Sequence, residues 1–175
     1  MDLTSKATAS GIPVWCAHSE IVDLVSLIPN PRNPNRHPKE QIELLSKIIK
    51  HQGWRTAITV SNRSGFIVRG HARLDAAKIL GVEQVPIDRQ DYATEAEEWA
   101  DLIADNRIAE LAEVDNAELK DLLQELDTGA FDMDLTGFDE KELEKLMAQF
   151  HVEEDRGEKK ASIATNECPK CGYKW

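Results

Sequence analysis

The residues best suited to chemistry lie in the stretch IVRGHARLDAA, residues 67–77, where a short apolar strand runs directly into a helix. A helix start carries unpaired backbone N–H groups and the positive end of the helix dipole, and both attract anions. Gly70 lets a ligand approach the backbone, and His71 and Arg73 stand where their side chains would flank it. The stretch predicts a phosphate site, although a tight turn with a solvated Arg73 fits the same residues.

Charge is divided unevenly along the 175 residues, whose net charge is −11. Residues 1–90 hold 12 Lys and Arg against 8 Asp and Glu, whereas residues 91–175 hold 9 against 24, so the two parts carry +4 and −15. Because phosphate groups favour basic surfaces, we expect any anion site in the first part. We expect DNA affinity to be weak and dependent on salt.

Composition is typical of a soluble cytoplasmic protein. The N-terminal sequence MDLTSKATASG lacks the apolar core of a signal peptide, and no run approaches the roughly 20 apolar residues of a membrane span. Three cysteines, Cys16, Cys168 and Cys171, are too few and odd in number for a secreted disulfide scaffold. We therefore expect no membrane partner.

Turn residues and hydrophobic periodicity predict the elements that must position the site. A strand near residues 19–25 leads into a Pro- and Asn-rich turn, and a helix then runs from Pro38 to a glycine cap at Gly53. The residues 62–65, NRSG, join two β-rich runs in a predicted hairpin. The helix that follows the glycine-histidine junction is expected to stop at Gly81.

The remaining chain is predicted to be one strand, residues 83–90, followed by helices. Capping residues three positions before a Glu predict three helix starts, at Thr94, Asp115 and Asp139. The predicted fold class is therefore α+β, a small mixed β-sheet with packed helices followed by acidic C-terminal helices.

Four pieces of the chain, in this order, resemble the nuclease-like N-terminal domain of ParB proteins, in the ParB/sulfiredoxin superfamily, and above all its stand-alone phage and prophage versions. They are IPNPRNPNRHPKEQIELLSKII, GWRTAITV, FIVRGHARLDAAKILGVEQVPI and LIADNR. AELKDLLQEL and DMDLTGF extend the resemblance to most of the chain. It implies an N-terminal segment, a ParB-like nucleotide- or phosphate-binding domain, an acidic helical extension, a linker and a CxxC tail, covering residues 1–20, 21–110, 111–150, 151–167 and 168–175.

The resemblance also implies a nucleotide site. ParB proteins hold a nucleoside triphosphate with Gly-Glu-Arg-Arg at this junction, and sulfiredoxin-like relatives hold ATP phosphates with Gly-x-His-Arg. Here Gly70 and Arg73 match both patterns, whereas His71 and Ala72 match neither. The family's Glu-Asn pair near the metal is similar to Asp105 and Asn106, the predicted catalytic pair with Mg²⁺, although the same residues fit the polar face of a surface helix. The other predicted nucleotide- and phosphate-binding residues are Arg32, Arg36, His37, Thr56 and Arg107.

The DNA reader of ParB proteins is not expected in this chain. After Leu111 the family would continue with a helix-turn-helix of neutral or basic character. Residues 115–150 instead carry 11 acidic and 3 basic side chains, which repel DNA phosphates. We therefore expect these helices to form a lid or a surface for a protein partner.

The C-terminal sequence ECPKCGYKW resembles one knuckle of a zinc ribbon, with Cys168 and Cys171 as zinc ligands. A tetrahedral site needs four ligands. The other two would come from a second chain in a homodimer, from Cys16 and His18, or from His151. A redox dithiol and an inert tail are the alternatives.

Two classes of function follow from the resemblance. The first is a ParB-like nuclease-domain protein that binds a nucleotide or a nucleic-acid phosphate and acts in phage DNA metabolism, partition or modification, with nuclease or nucleoside triphosphatase activity left open. The second is a small-molecule phosphotransferase of the free-serine-kinase type, and a non-catalytic interaction protein is a further alternative. The phosphotransferase would need an acidic general base, for which the candidates are Glu20, Asp23, Asp75 and Asp105. A sulfinic-acid reductase is not expected, because no cysteine adjoins His71 to Arg73 in the sequence.

Overall fold

The computed structural model describes residues 4–151, which form six strands and five α-helices. The strands are β1 (Ala7–Ala9), β2 (Ile12–Val14), β3 (Glu20–Asp23), β4 (Ile58–Ser61), β5 (Ile67–Arg69) and β6 (Gln84–Gln90). The α-helices are α1 (Lys39–Gln52), α2 (His71–Leu80), α3 (Glu95–Glu110), α4 (Asn116–Leu126) and α5 (Glu140–His151). Short 3-10 turns cover Leu24–Ser26 and Met133–Thr136. None of the helices in this part of the chain has the length and apolar composition that a bilayer crossing requires.

A mixed four-stranded sheet in the order β3-β6-β4-β5 forms the centre of the fold. β6 pairs antiparallel with β3 and parallel with β4, and β4 pairs antiparallel with β5. The apolar side chains of its two central strands are buried, among them Ile58, Val60, Val85 and Ile87. The predicted α+β class with a small mixed sheet is confirmed.

A second sheet, the hairpin of β1 and β2, was not predicted. Val14 forms a parallel bridge with Trp54, and both side chains are fully buried in the main core together with Ala9. Residues 7–14 therefore contribute to the core of the domain. Strands of three residues are too short to show a clear alternation of apolar and polar side chains, which is why the sequence pattern missed them.

The helix boundaries follow the predicted capping residues. α1 begins directly after Pro38 and ends at Gly53, whose N–H donates to Ile49 O over 2.9 Å. The side chain of Thr94 accepts from the N–H of Glu97 at the start of α3, and Asp115 caps α4 in the same way. These local predictions are confirmed because each depends on residues within one turn.

The chain divides into a unit that ends at Phe138 and a unit that begins at Asp139, whose described part is α5. This division differs from the predicted boundary at residue 110, which stays a prediction. Lys47 on α1 lies 2.6 Å from Asp134 and 3.0 Å from Asp132, so the segment after α4 is tied to the first unit. The predicted linker and CxxC tail, beyond His151, lie outside the described residues.

Candidate anion-binding site

A pocket of about 140 Å³ opens where β5 passes into α2. Three segments surround it, namely the β5–α2 junction, the loop that precedes α1 and the C-terminal half of α3. Its polar lining consists of Asn33, Asn35, His37, Arg69, Gly70, His71, Arg73, Asp105 and Asn106.

Gly70 forms the floor of the pocket at the start of α2. Its φ of +93° lies in the left-handed region that favours glycine. The N–H of Leu74 makes the first intrahelical hydrogen bond of α2, to Gly70 O over 3.1 Å. The N–H groups of residues 71–73 therefore have no acceptor within the helix and are available to an anion.

Arg73 folds back over this helix start. Its Nη1 would lie 3.3 Å from a Cβ built on Gly70. The side chain is half-buried, and burial lowers its pKa, while Asp105 and Cys16 act in the opposite direction. Within residues 4–151 the guanidinium makes no hydrogen bond and no ion pair, so its donors are available to a ligand.

His71 is a neutral donor in the folded chain. The backbone N–H of Asn30 donates to His71 Nε2 over 3.2 Å, so Nε2 is unprotonated and the ring proton is on Nδ1. Burial is the largest cause of a lowered pKa, His37 adds to it, and Asp75 opposes it. The same hydrogen bond attaches the loop before α1 to the first turn of α2.

The lowered pKa of His71 predicts a pH-dependent stability. Below the ordinary pKa of 6.5 the unfolded chain takes up a proton that the folded chain resists. The stabilisation by neutral His71 is present above 6.5 and is lost as the pH falls through the folded-state pKa. We expect the urea midpoint to fall between pH values of about 7.5 and 5, and to fall less in His71→Gln. An equal fall in His71→Gln and in the exposed control His51→Gln would contradict this prediction.

The predicted pair on α3 faces the same pocket. Asn106 Nδ2 donates to Leu102 O over 3.1 Å, which leaves Oδ1 as an acceptor. Asp105 Oδ1 lies 3.7 Å from Arg69 Nη1. The structure therefore brings Asp105 and Asn106 together with Gly70, His71, Arg73 and His37, while a catalytic role for the pair stays a prediction.

The other predicted phosphate ligands do not line the pocket. The guanidinium of Arg32 stacks on the ring of Trp99, 4.1 Å from its centroid, because a cation gains by contact with the face of an indole. Arg107 pairs with Glu110 over 2.9 Å along the surface of α3. Arg36, between the lining residues Asn35 and His37, and Thr56 are exposed and are not among the residues that line the pocket.

Of the four candidate general bases, Asp105 alone lines the pocket. Glu20 pairs with Arg89, and Asp23 accepts a hydrogen bond from Gln84 Nε2 over 3.3 Å. Asp75 pairs with Lys78 over 2.8 Å. Glu20, Asp23 and Asp75 are therefore engaged elsewhere on the surface.

Arg69 is the charged lining residue that the sequence analysis missed. It precedes Gly70 directly, and in β5 it is exposed whereas Ile67 and Val68 are buried. Both of its partners, Asp101 and Asp105, come from α3. A basic residue beside the critical glycine was the signal available in the sequence.

The described residues leave the zinc prediction open. Cys16 is half-buried against the core, and His18 Nδ1 lies 3.1 Å from the carbonyl oxygen of Cys16. In residues 4–151 no group of three or more His, Cys, Asp or Glu side chains is arranged to hold a metal. Cys168 and Cys171 lie outside this part of the chain.

The part of the chain that forms the pocket matches a known protein family. Residues 14–107 match the model of the ParB N-terminal domain. The chain belongs to the ParB N-terminal domain family. The match covers the four-stranded sheet, α1, α2 and most of α3, and therefore all three segments around the pocket.

Residues 117–169 match a second model, the ParB-methyltransferase HTH domain. This match is contrary to our expectation that no helix-turn-helix follows Leu111. That expectation took the acidic charge of residues 115–150 to exclude the fold, whereas the positions of buried apolar side chains decide a helical fold and exposed charge does not.

Two similar proteins extend the comparison. The ParB-like nuclease domain-containing protein YnaK of Escherichia coli (strain K12) is 34% identical over 64 residues, which are 37% of this chain and 72% of YnaK. The C-terminally truncated ParB of Caulobacter crescentus, in complex with CTP-gamma-S, is similar with a TM-score of 0.61 and 22% identity, covering 75% of this chain and 78% of that chain. The likeness to the Caulobacter protein is a likeness of fold.

Proposed function

We propose that this chain binds the phosphate groups of a nucleoside triphosphate in the pocket at Gly70, His71 and Arg73. The observation that carries the proposal is the half-buried guanidinium of Arg73, which has no hydrogen-bond partner in the described part of the chain and lies beside Gly70 at the start of α2. Removing a guanidinium from water is costly unless an anion pairs with it.

The nature of the surrounding groups supports a phosphate rather than another anion. Backbone N–H groups at a helix start, Arg73 and the neutral Nδ1–H of His71 together offer several donors to one polyanion. The Caulobacter ParB of the same fold was determined with CTP-gamma-S, which supports a nucleotide as the source of the phosphates.

Asp105 and Asn106 fit a Mg²⁺ ion that accompanies such a nucleotide. A carboxylate and an amide oxygen are hard ligands, and Mg²⁺ is usually held by one or two such groups together with phosphate oxygens and water. The ion would supply charge neutralisation on the phosphates. Hydrolysis would need a water-activating base, for which Asp105 is the acidic candidate in the pocket.

We further infer a role in association with DNA, in phage DNA metabolism, partition or modification. The helix-turn-helix match at residues 117–169 supports it. The charge of −15 over residues 91–175 implies that the DNA affinity is modest and falls steeply with salt. The phosphotransferase alternative would depend on Asp105, because Glu20, Asp23 and Asp75 are paired outside the pocket.

Replacing Arg73 by Ala is the direct test of the phosphate site. We expect affinity for CTP and for inorganic triphosphate, measured by isothermal titration calorimetry, to fall about 30-fold or more, which corresponds to about 2 kcal/mol for a charge-assisted contact. The melting temperature should change little, because within residues 4–151 Arg73 has no hydrogen bond or ion pair to lose.

The matched control is Lys50→Ala, which removes an exposed cation in the last turn of α1 that does not line the pocket. We expect the Lys50→Ala protein to bind like the wild type. A large loss of stability in Arg73→Ala with the affinity retained would show that Arg73 is structural, and the proposed function would be wrong.

A further inference from the structure

Arg69 connects the β5–α2 junction to α3 at the edge of the pocket. Its Nε lies 3.0 Å from Asp101 Oδ2, and its Nη2 contacts Asp101 Oδ1, so Asp101 is held by two guanidinium nitrogens. Tyr92 donates its hydroxyl proton to the same Asp101 carboxylate over 2.7 Å. Both carboxylate oxygens of Asp101 therefore accept hydrogen bonds, and Asp101 holds Arg69 in place.

The contact between Arg69 and Asp105 is much looser. A single nitrogen, Nη1, lies 3.7 Å from Asp105 Oδ1, which is beyond hydrogen-bond distance. Within residues 4–151 the Asp105 carboxylate makes no hydrogen bond, although it lines the pocket. Asp105 is thus free to leave Arg69 for a stronger ligand without disturbing the pair of Arg69 and Asp101.

The charge of the pocket depends on this loose contact. Arg69 and Arg73 contribute two positive charges, Asp105 and the Asp101 that pairs with Arg69 contribute two negative charges, and His71 is neutral because the N–H of Asn30 occupies its Nε2. Without Arg69 the two carboxylates would outweigh the cation at Arg73, and the unshielded Asp105 would face the incoming phosphate.

We propose that Arg69 sets the divalent-cation requirement of the phosphate site. Arg69 neutralises Asp105 when no metal is bound, and Asp105 would instead hold a divalent cation when one accompanies the phosphate. This inference rests on the proposed phosphate site at Gly70 to Arg73. In this role Arg69 determines specificity, because it decides whether the site binds a phosphate chain without a metal ion as well as with one.

The test measures the binding of inorganic pyrophosphate to the full chain by calorimetry, with and without Mg²⁺. For Arg69→Gln we expect the metal-free affinity to fall about tenfold, the effect of one unshielded charge, and to recover to near the wild-type value when Mg²⁺ is present. For Asp105→Asn we expect metal-free binding at least as tight as in the wild type and no response to Mg²⁺.

The double variant Arg69→Gln with Asp105→Asn separates charge from structure. If Arg69 acts by neutralising Asp105, the double variant regains metal-free binding that Arg69→Gln lost. If Arg69 acts only by holding α3, removing Asp105 restores nothing, and the inference is overturned. Asp101→Asn provides a second variant that loosens α3 while leaving Asp105 and Arg69 in the pocket, and because it frees the charge of Arg69 we expect its metal-free affinity to be at least that of the wild type.

The outcomes also distinguish this inference from the function on which it rests. Pyrophosphate binding that depends on Arg73 but is unchanged in Arg69→Gln would overturn the role of Arg69 alone. Wild-type protein that shows no Arg73-dependent binding would overturn the phosphate site and the role of Arg69 with it.

Discussion

Gly70→Val is expected to abolish phosphate binding and to lower the free energy of unfolding by about 2–3 kcal/mol. A β-branched residue at a φ of +93° is strained in any surroundings. At this position the added Cβ would also lie 3.4 Å from the Cα of Ile58 and 3.3 Å from Arg73 Nη1. The side chain would fill the floor of the pocket and displace the guanidinium that we expect to contact the phosphate.

Gly81→Val is the matched control for this variant. Gly81 ends α2 with a φ of +66°, and a Cβ there would meet no atom within 4 Å. We expect a loss of about 1–2 kcal/mol in urea denaturation and an unchanged affinity for inorganic triphosphate. Equal affinities for Gly70→Val and the wild type would place the ligand elsewhere.

Glu98→Ala is expected to give the largest loss of stability among substitutions of polar residues in the first unit, about 2–4 kcal/mol. Glu98 is 1% exposed. Its carboxylate accepts from Ser61 Oγ over 2.8 Å and from Ser64 Oγ over 2.6 Å, and Arg63 Nη1 lies at 3.9 Å. The substitution leaves a cavity and removes the acceptor of two hydroxyl groups in the β4–β5 turn.

Two further variants are compared with Glu98→Ala in thermal and urea denaturation. Glu98→Gln keeps the volume and one acceptor oxygen, so we expect a loss of about half that size or less. Glu95→Ala changes an exposed residue in the first turn of the same helix, and we expect a change below about 0.5 kcal/mol. A loss in Glu98→Ala no greater than in Glu95→Ala would mean that the buried contacts of Glu98 contribute no net stability.

Glu98 also affects the site indirectly, since α3 carries both Glu98 and the pocket residues Asp105 and Asn106. Glu98 and Asp101 lie on neighbouring turns of α3. They attach the helix to the β4–β5 hairpin through Ser61 and Arg69, respectively. The pocket is thus assembled by polar contacts between segments that are distant in the chain.

Sequence patterns were sufficient where the physics is local. Pro38 and Gly53 mark the ends of α1, and Thr94 and Asp115 cap their helices, because each of these effects acts within one turn of backbone. The strand-to-helix junction at Gly70 could likewise be predicted from the sequence, since a left-handed glycine and a helix start both depend on a few consecutive residues.

Tertiary structure decided which side chains meet at that junction. Arg32, expected at the phosphate, stacks on Trp99, whereas Arg69, not expected there, pairs with Asp101 at a separation of 32 residues. The hydrogen bond that keeps His71 neutral comes from Asn30, which is 41 residues away. The sequence by itself determined the elements of the fold other than the β1–β2 hairpin, and it determined the glycine-histidine-arginine junction. Packing determined the charge and the lining of the pocket, because these depend on contacts between distant segments that no local pattern encodes.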